Sequence, residues 1–318
     1  MGLRVLIIKT SSLGDVVHGL AVVSDIQRRL PSCQIDWVVE EPYGAIVSLN
    51  GNVEKIISTR IRKWRTSLFS LKTWKEIYRV SQHIRAVEYD AVIDMQGLLK
   101  SALITKLARG KKYGFDRKTA REGISAFFYD NPVNIKTDEH MVMRCRKLTA
   151  RALDYELDTL ELSYGLQKPF REHVGRTAII LCGSAKQEKL WDETSWVEVV
   201  GHLIALGVAC KLIWGSEEER LRCSNIQRLS GGEIAPECNL DELALMLGQA
   251  DLVVGLDTGL LHLAAAYEIP VVAIFGGSHP SKTGPLTPGL SRVVGTFNSF
   301  PSSREVIDNI NSLLGSLP

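Results

Sequence analysis

Short runs of aliphatic and β-branched residues alternate along the chain with longer stretches whose apolar positions recur at helical spacing. Residues 3–9 predict a buried parallel strand. Residues 14–30 predict a helix with Val16, Leu20, Val23 and Leu30 on one face and Pro31 as its stop. The strand pattern returns at 34–39 and 91–95, with helices predicted over 71–84, 98–108 and 141–153. A polar, irregular stretch follows at 156–176, punctuated by Gly165, Pro169 and Gly175, and the alternation then restarts. Strands are predicted at 177–182, 209–214, 251–255 and 271–275, and helices at 196–205, 240–248, 260–267 and 304–314. Strands alternating with helices in this way imply a parallel sheet covered on both faces. The expectation is therefore an α/β chain of two Rossmann-like, doubly wound domains facing each other across a cleft. These are 1–165 and 166–303, with a terminal helix at 304–318 packing back on the first. In such sheets ligands lie beyond the carboxyl ends of the strands, so the loops at those ends are the places to look for chemistry.

Composition narrows the class. A length of 318 residues suits two domains of about 150 each, and a hydrophobic share of 45% supplies an ordinary core. Lys and Arg number 38 against 36 Asp and Glu, a net charge of +2, which argues against a nucleic-acid partner. The six cysteines are scattered without a C-x-x-C pair, so neither a zinc site nor a disulfide framework is expected and a reducing cytoplasm fits. The apolar run at 5–8 is too short for a signal segment. The longest apolar tract, 252–275, is broken by Asp257, His262, Glu268 and Pro270, so it cannot cheaply span a bilayer.

Four loops carry candidate chemistry. The first runs from Lys9 through Ser12, Gly14 and Asp15 to His18, where a glycine before a carboxylate lets a substrate approach the backbone. It is neither a G-x-G-x-x-G fingerprint nor a phosphate-binding P-loop. Asp15 reads either as a general base for an attacking hydroxyl or as a helix N-terminal charge favoured by the macrodipole. The second is Asp257-Thr258-Gly259-Leu260-Leu261-His262, where free N–H groups at a helix start can hold a diphosphate. Its bland reading is an N-cap aspartate and a packed histidine. The third is 183–191, in which Ser184 and Lys189 can meet phosphate oxygens or simply form a solvated loop. The fourth is 214–219, where one of Glu217, Glu218 and Glu219 can take ribose hydroxyls and the rest open a helix. Separately, Arg60, Arg62, Lys63, Arg65, Lys72 and Lys75 are interleaved with Trp64, Phe69 and Trp74. That mixture suits an anionic membrane surface, against the plain alternative of a solvated helix face.

Together K-T-S-S-x-G-D-V-x-H at 9–18, W-V-V-E-E at 37–41, D-x-Q-G-L-x-K-S at 94–101, T-A-R-E at 119–122 and D-T-G-L-x-H at 257–262 resemble the ADP-heptose:lipopolysaccharide heptosyltransferases, glycosyltransferase family 9. The resemblance runs over nearly the whole chain in order, and the narrower opening motif favours the members that add the first heptose. It implies a GT-B fold, an ADP-L-glycero-β-D-manno-heptose donor, a Kdo–lipid A acceptor, no obligatory metal and an inverting single displacement. It also implies a cytoplasmic protein peripherally attached to the inner membrane. Carried over by position, Asp15 is the base, with Ser12 and Gly14 beside the acceptor. Ser184, Ala185, Lys189, Asp257, Thr258, Gly259 and His262 meet the donor. Arg62, Lys63, Arg65 and Arg121 gather the acceptor's phosphates and carboxylates. Two departures stand out. Ser184 and Ala185 replace paired threonines, which removes one hydroxyl, and a one-residue gap leaves the ribose to Glu219, with Glu218 behind it. A member adding the second heptose, another ADP-sugar transferase and a non-catalytic nucleotide-sugar module are the competing readings.

Overall fold

The computed structural model describes residues 2–158, 161–171, 175–287 and 289–315. The chain divides into two compact units, Met1–Leu166 and Gln167–Pro318. The first contains β1 (Arg4–Ile8), α1 (Leu13–Arg29), β2 (Gln34–Glu40), α2 (Gly44–Ser48), β3 (Lys55–Thr59), α3 (Ile61–Thr66), α4 (Leu71–Arg85), β4 (Glu88–Asp94), α5 (Leu99–Leu107), β5 (Arg109–Phe115), β6 (Asn131–Val133) and α6 (Met141–Leu153). Among the described residues its six strands pair in parallel in the order β3-β2-β1-β4-β5-β6. Val5, Leu6, Ile7 and Ile8 are wholly buried, as a central parallel strand covered on both faces requires. Helices α1 and α6 are tied by a buried pair in which the Arg146 guanidinium donates to the Asp25 carboxylate at 2.7 and 2.9 Å. Arg146 also donates to the carbonyls of Asp158 and Glu161, so its remaining N–H groups do not go unmet.

The second unit contains β7 (Thr177–Leu181), α7 (Glu193–Ala205), β8 (Ala209–Leu212), α8 (Glu217–Ser230), β9 (Glu233–Ile234), α9 (Leu240–Gly248), β10 (Leu252–Leu256), α10 (Gly259–Ala266), β11 (Val271–Ile274), α11 (Pro280–Thr283), β12 (Ser291–Val294) and α12 (Ser303–Gly315). Its strands are again all parallel, in the order β12-β11-β10-β7-β8-β9. Read from each unit's first strand, both sheets follow the doubly wound order 3-2-1-4-5-6. The strand order reverses between β1 and β4 in one sheet and between β7 and β10 in the other. The loops leaving those four strands are therefore the ones free to hold ligands.

One expectation is corrected. The terminal helix was expected to pack back on the first unit. Instead Val306, Ile310, Leu313 and Leu314 of α12 join the second unit's core, together with Trp196 and Leu203 of α7 and Ile274 of β11. Their i, i+4, i+7, i+8 spacing gives the helix one apolar stripe, and this core uses it up. Residues 316–318 of that predicted segment lie outside the described residues.

Candidate active site

In the first unit the loops leaving β1 and β4 are built against each other. The buried Asp94 carboxylate accepts N–H bonds from Gln96 (2.8 Å) and Gly97 (3.2 Å) and the Tyr129 hydroxyl (2.8 Å). Gly97 turns the chain at φ +66°, where a side chain would be strained and would press on the Arg121 backbone at 3.3 Å. Gln96 then reaches across to the first loop. Its amide oxygen accepts from the N–H groups of Thr10 (3.0 Å) and Ser11 (3.3 Å), and its amide nitrogen donates to the Ser11 carbonyl (2.5 Å). Lys100 Nζ donates to Ser11 Oγ at 2.9 Å. The Ser11–Ser12 peptide is cis. Ser12 is exposed, Gly14 half-buried, and both stand at the start of α1 beside Asp15.

Asp15 serves as the helix's N-terminal carboxylate and as the centre of a charge cluster. Its Oδ2 accepts the Ser12 N–H at 3.3 Å. Arg121 grips both oxygens, at 2.6 Å and 3.2 Å. Lys9, wholly buried and donating to the Met95 carbonyl at 2.8 Å, lies 3.4 Å from Oδ1. Burial pushes the Asp15 carboxyl up, but Lys9 and Arg121 outweigh it and hold it well below the usual carboxylate range. The T-A-R-E segment delivers Arg121 because Glu122 clamps the neighbouring loop. Its N–H bonds the Gly97 carbonyl (2.9 Å), and its carboxylate accepts the Leu99 N–H (2.6 Å).

The W-V-V-E-E segment has a different task. Glu40 is a buried carboxylate that accepts the N–H groups of Ile61 (3.2 Å) and Arg62 (2.8 Å), fixing the start of α3 where the helix dipole favours negative charge. Arg62, Lys63 and Arg65 are thereby presented as exposed cations. Arg62 lies over the Tyr43 ring at 5.9 Å. Burial lowers the Lys100 pKa against the pull of Glu40, and Arg62 and Arg65 lower it further, so these three cations share one field. Arg60 and Trp64 do not belong to an open basic surface. Arg60 pairs with Glu41 at 2.5 Å and Glu76 at 3.6 Å, and Trp64 Nε1 donates to Glu76 at 3.0 Å.

In the second unit the loops leaving β7 and β10 meet in the same fashion. Lys189 Nζ donates to the Asp257 carboxylate at 2.6 Å and to its carbonyl at 2.9 Å. His262 Nε2 lies 3.0 Å from the other carboxylate oxygen, and Ser278 Oγ donates at 2.6 Å. Burial pushes Asp257 up, but His262, Lys189 and Ser278 together hold its carboxyl well below the usual range. Thr258 and Gly259 stand at the N-terminus of α10. The Thr258 hydroxyl is buried and has no hydrogen-bond partner among the described residues.

A cavity of about 530 Å³ beside this cluster is lined by Ser184, Ala185, Gln187, Ser216, Glu218 and Glu219. The structure separates the three glutamates. Glu217 pairs with Arg220 in solvent at 2.6 Å, and Glu218 accepts from Gln187 at the rim (3.2 Å). Glu219 accepts the Gly215 N–H at 2.8 Å and stands where a Cβ on Gly183 would lie 2.6 Å from its carboxylate. Ser184 Oγ accepts the Lys186 N–H at 3.2 Å.

Sequence reasoning missed Lys9, Gln96, Lys100 and Ser278 as site residues. The first three sit inside motifs already visible in the chain, but their partners lie 85 or more positions away for Gln96 and Lys100. Among the described residues no three His, Cys, Asp or Glu side chains gather in a way that could hold a metal ion. All six cysteines are free thiols.

Two doubly wound parallel sheets bearing these residues at their switch points define a glycosyltransferase of the GT-B type. Comparison with known proteins makes the class specific. Residues 77–308 match the family model of glycosyltransferase family 9 (heptosyltransferase). Lipopolysaccharide heptosyltransferase 1 of Escherichia coli K12 is 38% identical over 291 residues, 89% of this chain and 90% of that protein. The structure of E. coli heptosyltransferase WaaC with ADP matches with a TM-score of 0.90 at 35% identity, covering 98% of this chain and all (100%) of that one. The same protein with ADP-2-deoxy-2-fluoro heptose gives 0.88 at 34%, covering 98% and 99%. The chain belongs to glycosyltransferase family 9.

Proposed function

We propose that this protein transfers L-glycero-D-manno-heptose from ADP-heptose to the Kdo of Kdo–lipid A, with inversion at the anomeric carbon, in assembly of the lipopolysaccharide inner core. The reading is carried by one observation. Each sheet's switch point holds a carboxylate paired with a lysine, the half-buried Asp15 with Lys9 and the buried Asp257 with Lys189, on the loops where this family works. In this reading the donor's diphosphate binds at the N-terminus of α10, where N–H groups and the Thr258 hydroxyl, without a partner among the described residues, can donate to it. Lys189 neutralises charge as it develops on departing ADP. Ser184 and Ala185 line the nucleotide cavity, and Glu219 takes the ribose hydroxyls. Arg62, Arg65 and Lys100 attract the acceptor's anionic groups past Ser12 and Gly14, while Lys63 adds charge at the edge. Asp15 accepts the proton of the attacking hydroxyl. The oxygen bonds to the anomeric carbon from the face opposite ADP, and the carbon–oxygen bond to ADP breaks. Protein charge serves the leaving group throughout, so no metal is assigned a step.

The acceptor belongs to a membrane, and α4 offers the contact. Leu71, Trp74 and Tyr78 recur at i, i+3, i+7 on its outer face, all exposed, and Leu68 and Phe69 continue the patch. Lys72, Lys75 and Arg79 flank it, a combination that suits an anionic lipid surface. Among the described residues no helix is long and apolar enough to cross a membrane. The reading puts the protein at the cytoplasmic face of the inner membrane, held peripherally through this patch.

The test is ADP release from ADP-heptose by purified protein, with and without Kdo–lipid A and with an acceptor already carrying one heptose. Release that requires the heptose-free acceptor supports the reading. Release only with the heptosylated acceptor reassigns the protein to addition of the second sugar, and binding without release reduces it to a binding module. Asp15→Asn is expected to lower turnover by 10²-fold or more, the scale of a lost general base, while ADP binding persists.

A further inference from the structure

Asp15 cannot act as a base in the state described above, because its oxygens are already taken. Oδ1 meets Arg121 Nη2 and Lys9 Nζ, and Oδ2 meets Arg121 Nη1 and the Ser12 N–H. A reacting hydroxyl needs one of these positions. Lys9 cannot yield it, being wholly buried and bonded to the Met95 carbonyl. The Ser12 amide belongs to the backbone. Arg121 differs from both. Its backbone is held by neighbours, through the Ala120 N–H to Asp116 and the Glu122 N–H to Gly97. Its side chain, however, is 37% exposed, against 13% for Asp15. An arginine fork on a carboxylate is a strong bidentate pair, yet a phosphate or carboxylate from a ligand competes for the same fork in the same geometry.

We propose that Arg121 is a mask on Asp15: in the free protein its guanidinium holds both carboxylate oxygens, and an anionic group of the acceptor draws it away and opens one oxygen to the reacting hydroxyl. The proposal rests on the reading of Asp15 as the base and adds a regulation to it. Arg121 thereby becomes a positioning residue with two states, and the base becomes effective only when a correctly charged acceptor is present. Other charges facing Asp15 do not change sides. Lys9 comes from the loop leaving β1, His18 from the next turn of α1, Lys100 from α5, and the Cys145 thiol, itself pushed up by burial, from α6. Because binding and unmasking are linked, the anion's affinity for Arg121 is reduced by what it costs to break the Asp15 pair.

The distinguishing measurement is a pair of pH profiles. The acid limb of kcat/KM reports free protein, and that of kcat reports the complex. With the mask in place only in the free protein, the kcat limb lies above the kcat/KM limb by about 1–3 pH units, the effect of one adjacent opposite charge. In Arg121→Gln the two limbs are expected to coincide, while KM for the acceptor rises. Arg121→Lys, a single-point charge, is expected to fall between. Carboxyl carbon-13 titration of Asp15 with and without acceptor repeats the comparison without turnover, and circular dichroism checks that each variant is folded. Acceptors with either the carboxylate esterified or the phosphates removed identify the displacing group: collapse of the gap with one of them names it. A gap that survives in Arg121→Gln, limbs that coincide in the unaltered protein, or a gap indifferent to both acceptor changes overturns the mask. Failure of the base reading would look different, as Asp15→Asn would then retain turnover whatever Arg121 does.

Discussion

At the scale of single residues, the buried carboxylates decide how the protein responds to acid. Burial alone would raise Asp257, yet His262, Lys189 and Ser278 hold it well below the usual range. A carboxyl in the unfolded chain takes up its proton near pH 4, while the folded Asp257 does so at lower pH. Between those points the unfolded chain binds the extra proton, so stability is present above pH 4 and is lost as the pH falls through the folded value. Asp15 contributes with the same sign. Asp94 has the opposite sign, because burial pushes its carboxyl up more than the Ser101 and Tyr129 hydroxyls and the Gln96 and Gly97 amides pull it down. Asp257→Asn is therefore expected to lower stability at pH 7 and to flatten the pH dependence of the urea midpoint below about pH 4. A variant whose midpoint keeps the slope of the unaltered protein would show that this cluster carries no such linkage. Asp15, Lys189 and Asp257 were legible in the sequence because each follows a strand and could be read as a loop carboxylate or lysine. Lys9 and Gln96 were not, since their roles depend on the register of β1 beside β4, where Ile8 pairs with Asp94. No local pattern encodes that pairing.

At the scale of elements, α4 shows how a basic and aromatic segment read from the sequence is sorted by the finished helix. Thr73, Ser81 and Ile84 face inward, but Leu71, Trp74 and Tyr78 form an apolar stripe in solvent. The basic and aromatic residues of the sequence therefore divide. Arg60 and Trp64 are spent on Glu41 and Glu76, Arg62, Lys63 and Arg65 stand exposed on α3, and the outer face of α4 keeps Lys72, Trp74 and Lys75. Vesicles rich in phosphatidylglycerol are expected to bind the protein more tightly than phosphatidylcholine vesicles, with a difference that shrinks in high salt. Lys72→Ala with Lys75→Ala should cost about 2 kcal/mol of that binding, from about 1 kcal/mol per cation at such a surface. Sedimentation that does not distinguish the two lipids would remove the membrane role from α4. The central strands β1, β2, β4, β7, β8, β10 and β11 were legible as apolar runs. The strand β5, Arg-Gly-Lys-Lys-Tyr-Gly-Phe, is too polar to announce itself, and β9, of two residues, is too short. Helix α12 was legible as a helix, but its packing partner depends on which surface is left open by the finished sheet.

At the scale of the whole molecule, the strand order 3-2-1-4-5-6 occurs twice, and each sheet carries its own set of chemical residues at the same topological position. The residues proposed to hold the donor lie wholly within 167–318, and those proposed to meet the acceptor within 1–166. ADP at about 100 times its dissociation constant should stabilise the unit that holds it by about 2.7 kcal/mol. In calorimetry that resolves two transitions, the one lowered by Ile310→Ala should be the one raised by ADP, since Ile310 belongs to the second unit's core. A shift confined to the other transition would misplace the nucleotide.

The repeated topology also bears on how such a protein can change over generations. Because the residues that would read the acceptor and those that would hold the nucleotide lie on separate stretches of chain, the two specificities need not be inherited as a bundle. Substitutions at Arg62, Lys63, Arg65 or Arg121 can then retune the choice of acceptor while the 183–219 and 257–262 loops keep their hold on the nucleotide, and the reverse holds as well.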